Sequence, residues 1–218
     1  MCFGPYTSFT ASAILLSAGA YTTHKAAGKN KHYLFFAMIP FIFGLQQLLE
    51  GFVWLALLNN HENAVHAASL GYLFFAFFIW PFYIPLSILP IENETKRINV
   101  LRYFSLLGVL YGIVIYSPLL LGLKSFTTEI AHYSINYITY DTNPLVSIYL
   151  FVYACFVALP FFITSKPRIK KFGILLILAL FVSLYFYLYA FTSVWCFFAA
   201  LLSLYLIDSI NKLNHQAK

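Results

Sequence analysis

Charge is what this sequence has least of. Asp, Glu, Lys and Arg make up only 9% of its 218 residues, where a soluble domain carries roughly 25%. Acidic residues are the scarcer kind, with 7 Asp and Glu against 13 Lys and Arg. Charge this sparse excludes an ordinary soluble domain, and a chain this apolar is no disordered tail. Other absences narrow the class. No His-x-x-x-His pair occurs, and seven-span zinc hydrolases depend on one. Residues 191–210 hold no lysine for a retinal Schiff base. No histidines face each other at mid-depth to carry haem b, and no phosphate-binding loop is present for a primary pump. The apolar runs do not alternate with polar residues, which excludes the strands of a membrane barrel. No basic segment precedes the first apolar run, so it does not read as a cleaved signal peptide.

What is present is apolar surface: 61% hydrophobic residues, 20% aromatic, and a mean hydropathy of +0.80. A helix needs ~20 apolar residues to cross a hydrocarbon core ~30 Å thick. Seven such segments can be drawn, at about 7–24, 33–58, 64–90, 101–122, 144–164, 172–190 and 191–210. The expectation is one all-α integral membrane domain over 1–218, a seven-transmembrane-helix bundle. The stretches 25–32, 91–97 and 165–171 are short, polar breaks, and 59–63 is polar and nearly neutral. Only Ala190 to Ser193 separate the last two segments, and no charge marks a turn there. One long, bent final helix is the six-span alternative.

Basic residues orient the bundle. Lys25, Lys29 and Lys31 follow the first segment, and Lys96, Arg97 and Arg102 follow the third. Lys166, Arg168, Lys170 and Lys171 follow the fifth, and Lys212 and Lys218 follow the seventh. Lys124 alone falls on the other side. The basic side is expected to be cytoplasmic, with the N-terminus outside and the C-terminus inside. The net charge of +6 is therefore a topology signal and not a nucleic-acid surface. The first segment is rich in small residues (Ser8, Ala11, Ser12, Ala18, Gly19), which suits close helix packing. Residues 123–143 form an extracytoplasmic loop, expected to lay a short helix or hairpin over the bundle.

Ionisable groups inside a span are costly and point to sites. Glu50 is the clearest. Phe43, Gln47, Glu50 and Trp54 recur at helical spacing on one face, with Gln46 on its flank and Gly51 beside it. This stripe either locks the bundle or lines a hydrated pocket for a small ligand or cation. With no Lys or Arg at its depth, Glu50 must be protonated, metal-bound or facing water. His66, Cys2, Trp195 and Cys196 fall in the same half of the membrane, with His61 and His132 in the loops on that side. Glu50, His66, Cys2 and Cys196 would together suit zinc or copper, although no Cys-x-x-Cys spacing supports a metal set. Cys2 and Cys196 share one side, so a disulfide stays open; it requires a Cα separation under about 7 Å. The dense aromatics read mainly as interfacial belt and packing, with an aromatic-lined ligand cavity as a further reading. Pro81 and Pro85 should bend the third helix.

The opening Met1-Cys2-Phe3, then Ser8-Phe9 and Gln46-Gln47-x-x-Glu50-Gly51-x-x-Trp54, resembles an uncharacterised family of small multi-pass bacterial membrane proteins. Its members typically begin Met-Cys-Phe-Ser and carry the same Gln-Gln, Glu-Gly and Trp. Gly4-Pro5 departs from that pattern, where members often have Ser and Ala. The family has no established activity. The resemblance implies a bacterial inner (cytoplasmic) membrane and marks Cys2, Gln47, Glu50 and Trp54 as a set to test together. Three functions then stand: a binding or transport protein around Glu50, a membrane enzyme or metal-binding protein using Glu50, His66 and Cys2 or Cys196, and a sensor or accessory subunit without chemistry. Its partners would be the lipid bilayer and a small ligand or cation, with a homo-oligomer or membrane partner protein open.

Overall fold

The computed structural model describes residues 4–139 and 146–212. Helix α1 spans Pro5–Lys29. A 3-10 turn leads through short α2 (Leu34–Ala37) into α3 (Ile39–Leu58). Helix α4 (Glu62–Leu73) continues through a π-helical turn (Phe74–Ile79) into α5 (Trp80–Ile88). Helix α6 (Thr95–Leu120) precedes two antiparallel strands, β1 (Phe126–Ala131) and β2 (Ser134–Thr139). Helices α7 (Val146–Ala158), α8 (Pro160–Ile163), α9 (Pro167–Phe186), α10 (Phe191–Ser203) and α11 (Tyr205–Asn211) complete the chain.

Among the described residues, five helical stretches are long and apolar enough to cross a membrane: Lys31–Leu58, Glu62–Ile91, Thr95–Leu120, Pro167–Phe186 and Leu188–Asn211. The chain is a mainly helical membrane protein. Helix α1 is as long, but its hydroxyl and small residues make it less apolar, and the apolar helix Ile148–Ile163 is shorter. Leu106, Leu110 and Val114 on α6, with Leu178 and Phe181 on α9, point away from the protein. Apolar side chains in such rows are the surface a bilayer solvates.

Without a hydrophobic drive between helices in lipid, close backbone approach holds the bundle. Helix α1 lies along α3 through small residues. A Cβ on Gly19 would stand 2.3 Å from the Phe41 backbone nitrogen, and one on Gly44 would stand 2.8 Å from the Leu16 nitrogen. Hydroxyls seal the seam: Ser12 donates to the Gly44 carbonyl at 2.8 Å and Thr22 to the Ala37 carbonyl at 2.7 Å. Gly108 and Gly112, one turn apart on α6, admit the Phe78–Pro81 segment; a Cβ on Gly108 would meet the Pro81 carbonyl oxygen at 2.3 Å. Pro81 lacks an N–H for the preceding turn, and the wider π-helical turn before it accommodates the missing bond. Helix α10 is the most enclosed of the five long segments and forms the bundle's centre.

Apart from Lys124, which lies toward the hairpin, the described basic residues gather at one end of the molecule. Lys25 donates to Asn211 at 2.5 Å, tying α1 to α11. Arg97 donates to the Ile163 carbonyl at 2.7 Å. Glu92, 5% exposed, accepts from the Ser165 N–H and hydroxyl, both at 2.7 Å. The polar stretch after the first apolar run does not break the helix at residue 25; α1 continues to Lys29. A break does occur between the last two apolar runs, at Tyr187 and the 3-10 turn Leu188–Ala190. The packing of α9 beside α10 makes them separate helices rather than one long one.

At the opposite end, 126–139 forms a hairpin. Its two-residue turn places His132 at φ 56, a left-handed conformation uncommon outside glycine. The hairpin is fastened to several elements. Thr128 donates to Ser69 of α4 at 2.9 Å, and Phe126 stacks on His66 at 5.0 Å. Tyr137 stacks on Tyr72 at 4.8 Å, and His132 packs on Tyr189 at 5.1 Å. Ile135 is fully buried against Val53 and Trp54. Helix α3 ends beneath it in a Schellman turn: Asn60 at φ 54, with His61 N–H bonded to the Ala56 carbonyl and Asn60 N–H to the Leu57 carbonyl.

Candidate functional site

Helical spacing puts Gln46, Gln47, Glu50 and Trp54 on the inward side of α3, and all four are buried. From the basic end toward the hairpin they meet different partners. Phe43 stacks on Trp80 of α5 at 3.8 Å, and the Trp80 indole donates to Gln46 Oε1 at 2.7 Å. One turn on, Gln47 Nε2 donates to Glu50 Oε2 at 3.1 Å. Ser193 of α10 donates to Glu50 Oε1 at 2.5 Å. Trp54, a further turn on, packs with Ile135 of the hairpin.

Glu50 is fully buried, and both carboxyl oxygens accept hydrogen bonds from amide and hydroxyl donors. A buried polar group is tolerable only when bonded, and loss of one partner costs about 1–3 kcal/mol. The carboxyl thus works as a buckle between α3 and the central helix α10. Cys196, one turn below Ser193, is buried near Gln46, Tyr72 and Glu50. Tyr72 also reaches the Thr192 carbonyl at 3.3 Å. The polar set is therefore three-sided, joining α3, α4 and α10. Some capacity remains unused: Gln46 Nε2, Gln47 Oε1 and the indole N–H groups of Trp54 and Trp195 are buried and meet no hydrogen-bond partner.

A cavity of about 210 Å³ opens on the far side of α10. Trp195, Cys196 and Phe191 form its α10 wall, with Tyr111 and Ile115 from α6, and Tyr149 and Tyr153 from α7. Tyr137 and Thr139 of β2 close it at the hairpin end, where Lys124 also reaches it. Trp195 is held edge-on to Tyr153 at 5.3 Å and beside Phe191 at 5.2 Å. Glu50 does not line this cavity. It is connected to it through Ser193, whose neighbours Thr192 and Trp195 do.

Of the residues singled out in the sequence, the structure brings together Gln46, Gln47, Glu50 and Cys196, with Trp54 and Trp195 at the margins. It does not bring His66 to them. His66 stacks on Phe126 and lines a shallow polar hollow with Asn60, Glu62 and Thr128 at the hairpin end. Among the described residues no three His, Cys, Asp or Glu side chains gather as a metal-ion set. Cys2 lies outside the described residues, and its pairing with Cys196 with it. The partners missed in the sequence are Ser193, Tyr72 and Trp80. Ser193 was readable as lying in the same half of the membrane as Glu50, but its pairing with that carboxylate, 143 residues away, was not. The cavity residues Tyr111, Tyr149 and Tyr153 gave no signal above the general aromatic density.

No curated protein and no solved structure matches this sequence. A family model matches it end to end, over residues 1–218. The chain belongs to that family, which is described as a family of unknown function, DUF6629.

Proposed function

We propose that this protein is a seven-span ligand-binding protein of a bacterial inner membrane, N-terminus outside, whose site is the cavity under the hairpin. The span count adds α1 and the α7–α8 unit to the five long apolar stretches, and the basic residues collected at one end supply the orientation. The observation that carries the binding reading is the cavity itself. Its volume exceeds the roughly 150 Å³ that accepts a benzene-sized guest. It is walled by rings and bordered at one end by the docked hairpin. Glu50 serves this site from behind, holding α10 through Ser193 and so fixing the register of Trp195 and Cys196 on the cavity wall. Passage of the ligand across the membrane is the natural extension, with the hairpin as the outward gate.

The experiment is fluorine NMR of a small ring compound, para-fluorobenzyl alcohol, with the full chain in detergent. Saturable line broadening is expected, and Ile115→Trp, which fills the cavity, should abolish it while leaving micelle partition unchanged. Absence of saturable broadening, or equal broadening in the filled variant, refutes the reading. Impermeant maleimide labelling of Lys124→Cys in intact cells, with Lys171→Cys protected until permeabilisation, tests the orientation.

A further inference from the structure

The cavity wall carries a polar group that the fold leaves unsatisfied. We infer that the cavity takes a single-ring guest bearing a hydrogen-bond acceptor, of the aryl ketone or ester kind, with the ring among Tyr111, Tyr153 and Phe191 and the acceptor oxygen met by the indole N–H of Trp195. This rests on the cavity being a ligand site, as proposed above, and names the class of ligand.

Size comes first. At about 210 Å³, the space admits on the order of ten non-hydrogen atoms, scaled from a benzene guest in a cavity of roughly 150 Å³. That is one ring with a short substituent. Shape comes second. Tyr111, Tyr153, Phe191 and Trp195 present ring faces and edges from three helices, and aromatic walls favour a flat guest. The Tyr111 hydroxyl donates to the Tyr149 carbonyl at 2.9 Å, which fixes this wall across α6 and α7 and commits that proton.

The head group follows from Trp195. It lines the cavity, is 3% exposed, and its buried indole N–H meets no acceptor. A buried donor left unpaired is costly, and a phenyl ring at this position would wall the cavity without that cost. Its ring neighbours, Tyr153 edge-on at 5.3 Å and Phe191 at 5.2 Å, pack the indole without bonding its nitrogen. Competing acceptors are few. Among the described residues no Asp or Glu lines the cavity, and the Thr192 carbonyl already accepts from Tyr72 at 3.3 Å. A hydroxyl can turn to suit either a donor or an acceptor, but an indole nitrogen only donates. The indole therefore selects for an acceptor atom, whatever charge the guest carries. A hydrocarbon ring of the same shape would leave the N–H unpaired.

The test uses two probes of one shape, para-fluoroacetophenone and para-fluorocumene, in which carbon replaces the carbonyl oxygen. Each is titrated into the full chain in detergent by fluorine NMR, and each affinity is referred to the probe's partition into empty micelles. The ketone is expected to bind about tenfold more tightly than the hydrocarbon on that scale. Trp195→Phe keeps a ring on the wall and removes the N–H; it should bring the two probes to within about twofold, with hydrocarbon binding still saturable. A second readout needs no variant fold for its effect. The chain has three tryptophans, and with nitrogen-15 in their indoles one N–H signal, the one missing in Trp195→Phe, should move downfield with the ketone and stay with the hydrocarbon. Equal affinities in the wild type, a preference that survives Trp195→Phe, or no ketone-specific indole shift each overturns this inference. Where para-fluorobenzyl alcohol still binds saturably, the cavity reading stands; failure of all three probes overturns both.

Discussion

Glu92→Gln should destabilise the bundle more than any other change at its basic end. Glu92 caps the end of the α4–α5 rod and reaches the Ser165 backbone just before α9. Burial alone raises its carboxyl, yet bonds from the Ser165 N–H and hydroxyl, the Thr164 hydroxyl and the Asn93 N–H outweigh burial and lower it from 4.5 to about 2. At about 1.4 kcal/mol per tenfold change in proton affinity, that fall corresponds to roughly 3 kcal/mol of folding stability. The sign follows from the direction. A carboxyl held below its ordinary value stabilises fully above about pH 4.5, and the contribution is lost as pH falls toward about 2. Glutamine keeps the shape but loses the charge and turns an amide donor toward the donors of Ser165. At roughly 2–4 °C per kcal/mol for a chain of this size, the apparent Tm should drop by about 5–10 °C at neutral pH. The gap to the wild type should hold down to about pH 4.5 and narrow below it. Glu94→Gln is the control: its pair with Arg97 is half exposed, and surface pairs contribute about 0–1 kcal/mol. Thermal unfolding of the detergent-purified variants across pH 7 to 3 decides it. A Glu92→Gln loss no larger than the Glu94→Gln loss, or a gap that does not change with pH, would show that the clip between these two loops contributes nothing.

Ser193→Ala should cost about 1–3 kcal/mol by removing the 2.5 Å donor to Glu50. A double-mutant cycle with Glu50→Gln should give a coupling above about 0.5 kcal/mol, and additivity of the two changes would refute the buckle between α3 and α10. Gly108→Leu should separate α6 from the Pro81 carbonyl it touches and lower the yield of monodisperse protein, whereas Gly28→Ala, with open space around it, should leave it unchanged. Equal yields would contradict the close contact.

The sequence carried the parts of this structure that depend on the solvent. Apolar runs of bilayer length became helices, basic clusters collected at one end, and the helical period of Phe43, Gln47, Glu50 and Trp54 put one polar stripe inside α3. Contacts between helices were not legible, because a polar stripe says that a partner exists and not which one. Ser193 and Trp80 could be found only once helix order was known. The break at Tyr187–Ala190 contains no proline, glycine or charge; the hairpin sets it, through Tyr189 against His132 and through β2 against the turn. His66 shared a membrane half with Glu50, yet Phe126 of the hairpin holds its ring elsewhere. Depth alone does not place two side chains together.

The hairpin's attachments also impose an order of assembly. Residues 126–139 leave the ribosome before α9 and α10 exist, yet β2 packs on α10 and His132 on Tyr189. During synthesis the strands can rest only on the earlier helices, on α4 through Thr128 and Ser69 and on α3 through Ile135. Until the final helices insert, the half-built cavity has no Trp195 wall and the hairpin lacks its contacts to α10 and Tyr189. Completion of the chain is therefore what latches the roof. A translation product truncated before α10 should expose the hairpin to protease, while the full-length protein protects it.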